Sequence, residues 1–235
     1  MTSAVFFDVD FTLIHPGPAF QGGGYRDFCA RHGLTVDPAR FDAAVGDAAP
    51  LLDDLDGQVY DPQFFIRYTR RIIEGMGGRG PRLDACAREI YDEWSSYRHF
   101  SLYPDVEPTL RQLAADGIRL GLISNAQRSL ASFAAHFALD GLIAAAVSSS
   151  EHGYMKPHPS IFEAALRQVD VPASAAVMVG DSLPHDIEGA RRAGMRAVLV
   201  RRGRDRRIPP DETEEALRRQ GIAVIDSLAG LPALL

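Results

Sequence analysis

Short apolar runs that stop at a polar residue alternate along this chain with longer stretches of helical spacing. Ala4–Phe7 is an uninterrupted apolar run ending at Asp8. Runs of this length suit a strand buried on both faces of a sheet. Ile118–Ile123 ends at Ser124 and Asn125, Ala175–Val179 ends at Gly180 and Asp181, and Ala197–Val200 leads into an arginine-rich stretch. Ala144–Val147 is a weaker strand candidate, because alanine is a poor strand former. Between these runs, Pro108–Asp116 places Leu110, Leu113 and Ala114 on one helix face, with Gly117 as a stop. Ser129–Phe137, Pro159–Val169 and Pro184–Ala193 carry the same spacing, and Pro159 suits a first helical turn. Strand–helix alternation of this kind predicts an α/β fold: a Rossmann-like parallel sheet with helices on both faces.

Residues 15–103 break the alternation. A turn-rich segment from His15 to Gly24 is followed by helical patterns over Tyr25–His32, Pro38–Ala48, Pro62–Glu74 and Arg82–Tyr97, and no strand is legible among them. The pattern predicts a core formed by residues 1–14 and 104–235 with an inserted α-helical cap domain over 15–103. Gly22–Gly24 reads as a hinge or loop.

Composition narrows the function classes. The 235 residues are 46% hydrophobic and 24% charged, values of an ordinary globular chain rather than a disordered one. A formal net charge of −6 argues against nucleic-acid binding, which favours basic surfaces. Arg201–Arg207 is the most basic stretch and reads as a solvated loop. Cys29 and Cys86 form no CxxC pair, so neither a zinc knuckle nor a redox motif is indicated. The N-terminus lacks a basic leader, and no apolar run approaches the roughly 18 residues that span a bilayer. The expectation is a cytoplasmic monomer or homodimer without a membrane partner.

The polar residues at the strand ends carry the chemistry. In open parallel sheets, ligands bind beyond the carboxyl ends of the strands. Asp8 and Asp10 follow the first run, Ser124 and Asn125 the second, Lys156 the weak strand, and Asp181 and Asp186 the next. Any one of these suits a turn or a helix cap. Several acidic segments and a lysine at four strand ends, in this order, point to a site.

These segments resemble the motifs of the haloacid dehalogenase-like hydrolase superfamily. Asp8-Val9-Asp10-Phe11-Thr12-Leu13 is similar to DxDxTL, except that most members carry glycine where this chain has Phe11. Ile123-Ser124-Asn125 is similar to the second motif, Lys156-Pro157-His158-Pro159 to the third, and Gly180-Asp181-Ser182 with Asp186 to the fourth, GDSxxxD. The helical insert resembles the cap of the phosphoglycolate phosphatase and β-phosphoglucomutase group. The resemblance implies a Mg²⁺-dependent phosphatase acting on a small phosphorylated metabolite through an aspartyl-phosphate. Asp8 is then the nucleophile and Asp10 the general acid and base. Asp8, Asp181 and the Asp10 backbone carbonyl are metal ligands. Ser124 and the amides beside Asn125 hold the phosphoryl group at a helix N-terminus, and Lys156 neutralises its charge. Asp186 and Ser182 support from behind.

Other readings remain open at this level. A phosphomutase shares every core residue. A 2-haloacid dehalogenase shares the nucleophile but needs no metal and lacks the acid two residues on. A non-catalytic binding module would not need all these positions filled. His158 and His185 suit supporting roles. Arg67, Tyr68, Arg70 and Arg71 in the cap suit a substrate-facing or a solvated helix face.

Overall fold

The computed structural model describes residues 1–52, 59–203 and 214–235. The chain divides into two compact units, one of residues 1–15 and 102–235, the other of residues 16–101.

The first unit is built on a parallel six-stranded sheet. Its strands are β1 (Ala4–Phe7), β4 (Arg119–Ser124), β5 (Ile143–Ser148), β6 (Ala176–Gly180), β7 (Arg196–Val200) and β8 (Ala223–Ile225), in the order β5-β4-β1-β6-β7-β8. Short strands β2 (Ile14–Pro16) and β3 (Phe100–Leu102) pair where the chain passes between the units. No strand was expected within residues 15–103. Three-residue strands at the two crossings are too short to leave an alternating pattern.

All four residues of β1 are buried, as a strand covered on both faces requires. Phe6 and Ala4 pack with Ile161, Phe162, Ala165 and Val169 of helix α8 (Pro159–Val169). Between β1 and α8 in the chain lie α5 (Val106–Ala115), α6 (Leu130–His136) and the single turn α7 (Ser149–His152). After β6 comes a π-helical turn, Leu183–Glu188, which runs on into α9 (Gly189–Arg192). Helix α10 (Glu214–Arg219) buries Leu217 against Ile187, Leu199 and Ile222. The chain runs from β1 to β4 and β5 on one side, then returns to β6 on the other. This reversal opens a crevice at the carboxyl end of β1.

The second unit is helical. Its helices are α1 (Gly22–Arg31), α2 (Phe41–Ala48), α3 (Pro62–Gly75) and α4 (Leu83–Trp94). Gly22–Gly24 forms the first turn of α1 rather than a hinge or loop. A Cβ on Gly22 would sit 2.3 Å from the Pro38 carbonyl oxygen, and one on Gly24 would sit 2.1 Å from that of Ala19. Close backbone approach, not flexibility, accounts for Gly22 and Gly24. Cys29 and Cys86 are buried thiols within this unit. Arg70 pairs with Glu74 and Asp84.

The arginine-rich stretch also differs from expectation. Arg202 is largely buried and is no solvated loop residue. Its guanidinium donates to both Asp105 carboxylate oxygens and to the Thr12 carbonyl, and it lies 4.1 Å above the Tyr103 ring. Burial of a cation is tolerated here because several acceptors surround it. Arg204, Arg206 and Arg207 lie outside the described residues. Among the described residues, no helix is long and apolar enough to cross a membrane.

Candidate active site

The carboxyl ends of β1, β4 and β6 converge with the segment after β5. Asp8 leaves the end of β1 with its amide donating to the Val179 carbonyl, 2.9 Å away. The chain then turns tightly: Leu13 and Ile14 donate back to the Val9 carbonyl, and Phe11 donates to Ile14. Phe11 takes φ of 64°, the left-handed region that glycine enters without steric cost. That is the physical reason a glycine suits this position.

Lys156 is the hub. Its ammonium donates to Asp8 Oδ1 at 2.6 Å and to the Ile123 carbonyl at 2.8 Å, and it lies 2.7 Å from Asp186 Oδ1. The second Asp186 oxygen accepts from the Ser182 amide at 3.0 Å. Burial pushes the Asp8 carboxyl up to about 7. The Asp186 and Asp10 carboxylates add to this, and Lys156 opposes it. Burial alone would lower the Lys156 ammonium, but Asp186 and Asp8 hold it charged, above the ordinary lysine range.

Asp8, Asp181 and Asp186 bring carboxylate oxygens within 4.8 Å of one another, all buried. Three buried carboxylates against one ammonium leave an excess of negative charge, which a divalent cation would balance. Hard oxygen donors of this kind fit Mg²⁺. Both Asp186 oxygens are engaged, by Lys156 and by the Ser182 amide, whereas Asp8 meets Lys156 through Oδ1 alone, so Asp8 and Asp181 could hold the ion. Thr12 donates to Asp181 Oδ1 at 3.4 Å.

Ser124 ends β4 with its hydroxyl buried and with no hydrogen-bond partner among the described residues. An orphaned buried hydroxyl is costly, and an incoming oxyanion would satisfy it. The Asn125 side chain has a role of its own. Its side-chain amide is spent on Lys156: Nδ2 donates to the Lys156 carbonyl at 2.9 Å, and Oδ1 accepts the Lys156 amide at 2.7 Å. Helix α6 begins only at Leu130, so the amides beside Asn125 are not at a helix N-terminus.

The two histidines serve neighbouring structure. His158 caps α8 and contacts the Ser160 hydroxyl, while His185 contacts the Ser182 hydroxyl, which caps the π-helical turn. Ser182 thus reaches Asp186 through its backbone rather than its side chain.

One site residue is not legible in the sequence. Arg128 Nη2 donates to both carboxylate oxygens of Asp10. Arg128 stands in the loop between β4 and α6, where a lone arginine looks like any surface cation. Only its place four residues after Ser124 offers a signal, and a weak one.

Comparison with known proteins gives the same family throughout. A family model described as haloacid dehalogenase-like hydrolase matches residues 2–194. A glyceraldehyde 3-phosphate phosphatase from Methanopyrus kandleri (strain AV19) is 36% identical over 229 residues, covering 92% of this chain and 91% of that protein. A ribulose-1,5-bisphosphate 5-phosphatase from Halopiger xanaduensis (strain SH-6) is 27% identical and covers 100% of this chain and 99% of that protein. The crystal structure of a 2-haloacid dehalogenase from Pseudomonas syringae pv. Tomato DC3000 superposes with a TM-score of 0.61 at 28% identity, covering 100% and 98% of the two chains.

Proposed function

The chain belongs to the haloacid dehalogenase-like hydrolase family, and on that premise we propose that it is a Mg²⁺-dependent phosphatase of small phosphorylated metabolites. The observation that carries this reading is the buried set of Asp8, Asp181 and Asp186 around the single Lys156 ammonium. Asp8 and Asp181, with the Asp10 backbone carbonyl, would hold the ion. Mg²⁺ when bound supplies charge neutralisation for a phosphoryl group that otherwise repels an anionic nucleophile.

The residues act in two steps. The Asp8 oxygen outside the Lys156 ion pair attacks phosphorus, and the ester P–O bond breaks. The departing alkoxide takes a proton from Asp10. Asp10, now a carboxylate, takes a proton from water, whose oxygen attacks phosphorus. The Asp8–phosphorus bond breaks and phosphate leaves. Lys156 and the Ser124 hydroxyl neutralise and orient the phosphoryl oxygens throughout. Asp186 keeps Lys156 in place.

Asp10 and the paired Asp181 and Asp186 favour this reading over a metal-free dehalogenase. The core residues suit a phosphomutase equally, and we assign substrate selection to residues 15–103 as a cap. The two phosphatases similar to this chain are named for phosphorylated metabolites, which sets the first substrates to try. The test is phosphate release over a panel of sugar phosphates, phosphoglycolate, phosphoserine and an aryl phosphate, with Mg²⁺ and with chelator. Mg²⁺-dependent release that Asp8→Asn abolishes supports the proposal. Halide release from chloroacetate without metal, and no phosphate release, overturns it.

A further inference from the structure

Asp10 is not left to find its own orientation. Arg128 Nη2 meets both of its carboxylate oxygens, from a loop 118 residues further along the chain. The Arg128 side chain is 1% exposed, whereas that of Asp10 is 20% exposed. The guanidinium is therefore covered while Asp10 keeps some access to solvent. A cation this deeply covered is not a surface phosphate trap. Pairing with a carboxylate offsets the desolvation cost that an isolated buried arginine would bear.

We propose that Arg128 is a positioning residue for Asp10, fixing the carboxylate for proton transfer to the leaving oxygen and from water. This rests on the proposed phosphatase reading, in which Asp10 performs those transfers. The geometry supports the role in two ways. A planar guanidinium whose Nη2 meets both oxygens constrains the carboxylate in direction as well as distance, more than a flexible ammonium does. Arg128 also lies with Asn125 in the loop that follows Ser124, at the strand end where the phosphoryl group is to bind. Movement of that loop is thereby linked to the direction in which Asp10 points. Proton transfer requires a donor within hydrogen-bond reach, so a loosened Asp10 slows the chemical step without weakening substrate binding.

A double-mutant cycle on the full chain tests this. Wild type, Arg128→Gln, Asp10→Asn and the double variant are assayed with Mg²⁺ on one alkyl phosphate from the panel, with melting curves for each. Arg128→Gln is expected to lower kcat about 10- to 100-fold, the usual loss when a supporting group is removed. KM stays within about threefold, because binding is not the term affected. Added to Asp10→Asn, the same change lowers kcat by no more than about twofold, the ordinary scatter of independent sites. Arg128→Lys, which keeps the charge but not the planar guanidinium, recovers only part of the loss. It replaces Arg128→Gln in the cycle should the latter not fold. Full loss from Arg128→Gln in the Asp10→Asn background overturns the inference and leaves the phosphatase reading intact. So does a rise in KM at unchanged kcat. An Asp10→Asn variant as active as wild type instead refutes the role given to Asp10, and the inference falls with it.

Discussion

Asn125 and Lys156 are joined by a reciprocal pair of hydrogen bonds, the Asn125 side-chain amide matching the Lys156 backbone N–H and C=O. The contact crosses 31 residues and ties the loop after β4 to the segment that carries the ammonium. Asn125→Ala removes both partners at once. Leaving two backbone groups unmade costs about 1–3 kcal/mol each where water does not reach them. The expected result is a lower melting temperature and a kcat reduced about 10- to 100-fold, as for other supporting groups. Steady-state kinetics and thermal melts check it. An Asn125→Ala enzyme of wild-type kcat means Lys156 holds its place without the staple.

Gly180 closes β6 against Asp186. A Cβ at this position would lie 2.2 Å from Asp186 Oδ2, so alanine cannot enter without moving that carboxylate. Overpacking of this kind costs about 1–3 kcal/mol. Gly180→Ala should melt lower and lose turnover, because Asp186 is displaced from Lys156. Thermal melts and kcat decide; a variant with both unchanged would show that the backbone yields instead.

Asp181 and Asp186 should respond differently to metal. Asp186 is already bound by Lys156 and by the Ser182 amide, whereas Asp181 directly follows Gly180 at the end of β6, where its carboxylate reaches the shared cluster. Asp181→Ala is expected to need far more Mg²⁺ for half-maximal activity. Asp186→Ala should need moderately more, within about 10- to 100-fold, and lose mainly turnover. A Mg²⁺ titration of both variants compares them. The larger rise in Asp186→Ala would invert the assignment.

The raised Asp8 carboxyl would make binding of the proposed metal depend on pH. An acid whose folded value sits near 7, above its ordinary 3.8, disfavours folding increasingly as pH rises from about 4 to 7, because the unfolded chain releases its proton first. Relative to the unfolded chain, the fold without metal shifts Asp8 toward its neutral form. A divalent cation competes with that proton and needs the ionised form. The rise in melting temperature on adding Mg²⁺ should therefore be larger at pH 8 than at pH 6. Calorimetric or fluorescence melts at both pH values measure it. An equal rise at both would mean that Asp8 does not exchange a proton for the ion.

Ala4–Phe7, Ala176–Gly180 and Arg196–Val200 were legible because strands covered on both faces leave continuous apolar runs. The edge strand Ala223–Ile225 was not, since its three residues are only half-buried and too few to show a period. Helix α8 was legible over its full length through Pro159 and the spacing of Ile161, Phe162, Ala165, Leu166 and Val169. The π-helical turn at Leu183–Glu188 carries no such mark, because a single turn of altered pitch does not change the apolar spacing around it.

By itself the sequence determined which residues stand at strand ends, because burial periodicity and chain breakers are local properties of neighbouring residues. It thus marked Asp8, Asp10, Ser124, Lys156, Asp181 and Asp186 as candidates. Which of them touch is non-local, and only the tertiary structure decided it. The register of β1 between β4 and β6 brings Asp8 to Lys156 across 148 residues, and the loop after β4 brings Arg128 to Asp10. No spacing along the chain encodes such a meeting. It depends on the packing of the sheet, and the same packing makes the Asn125 side chain a brace of Lys156.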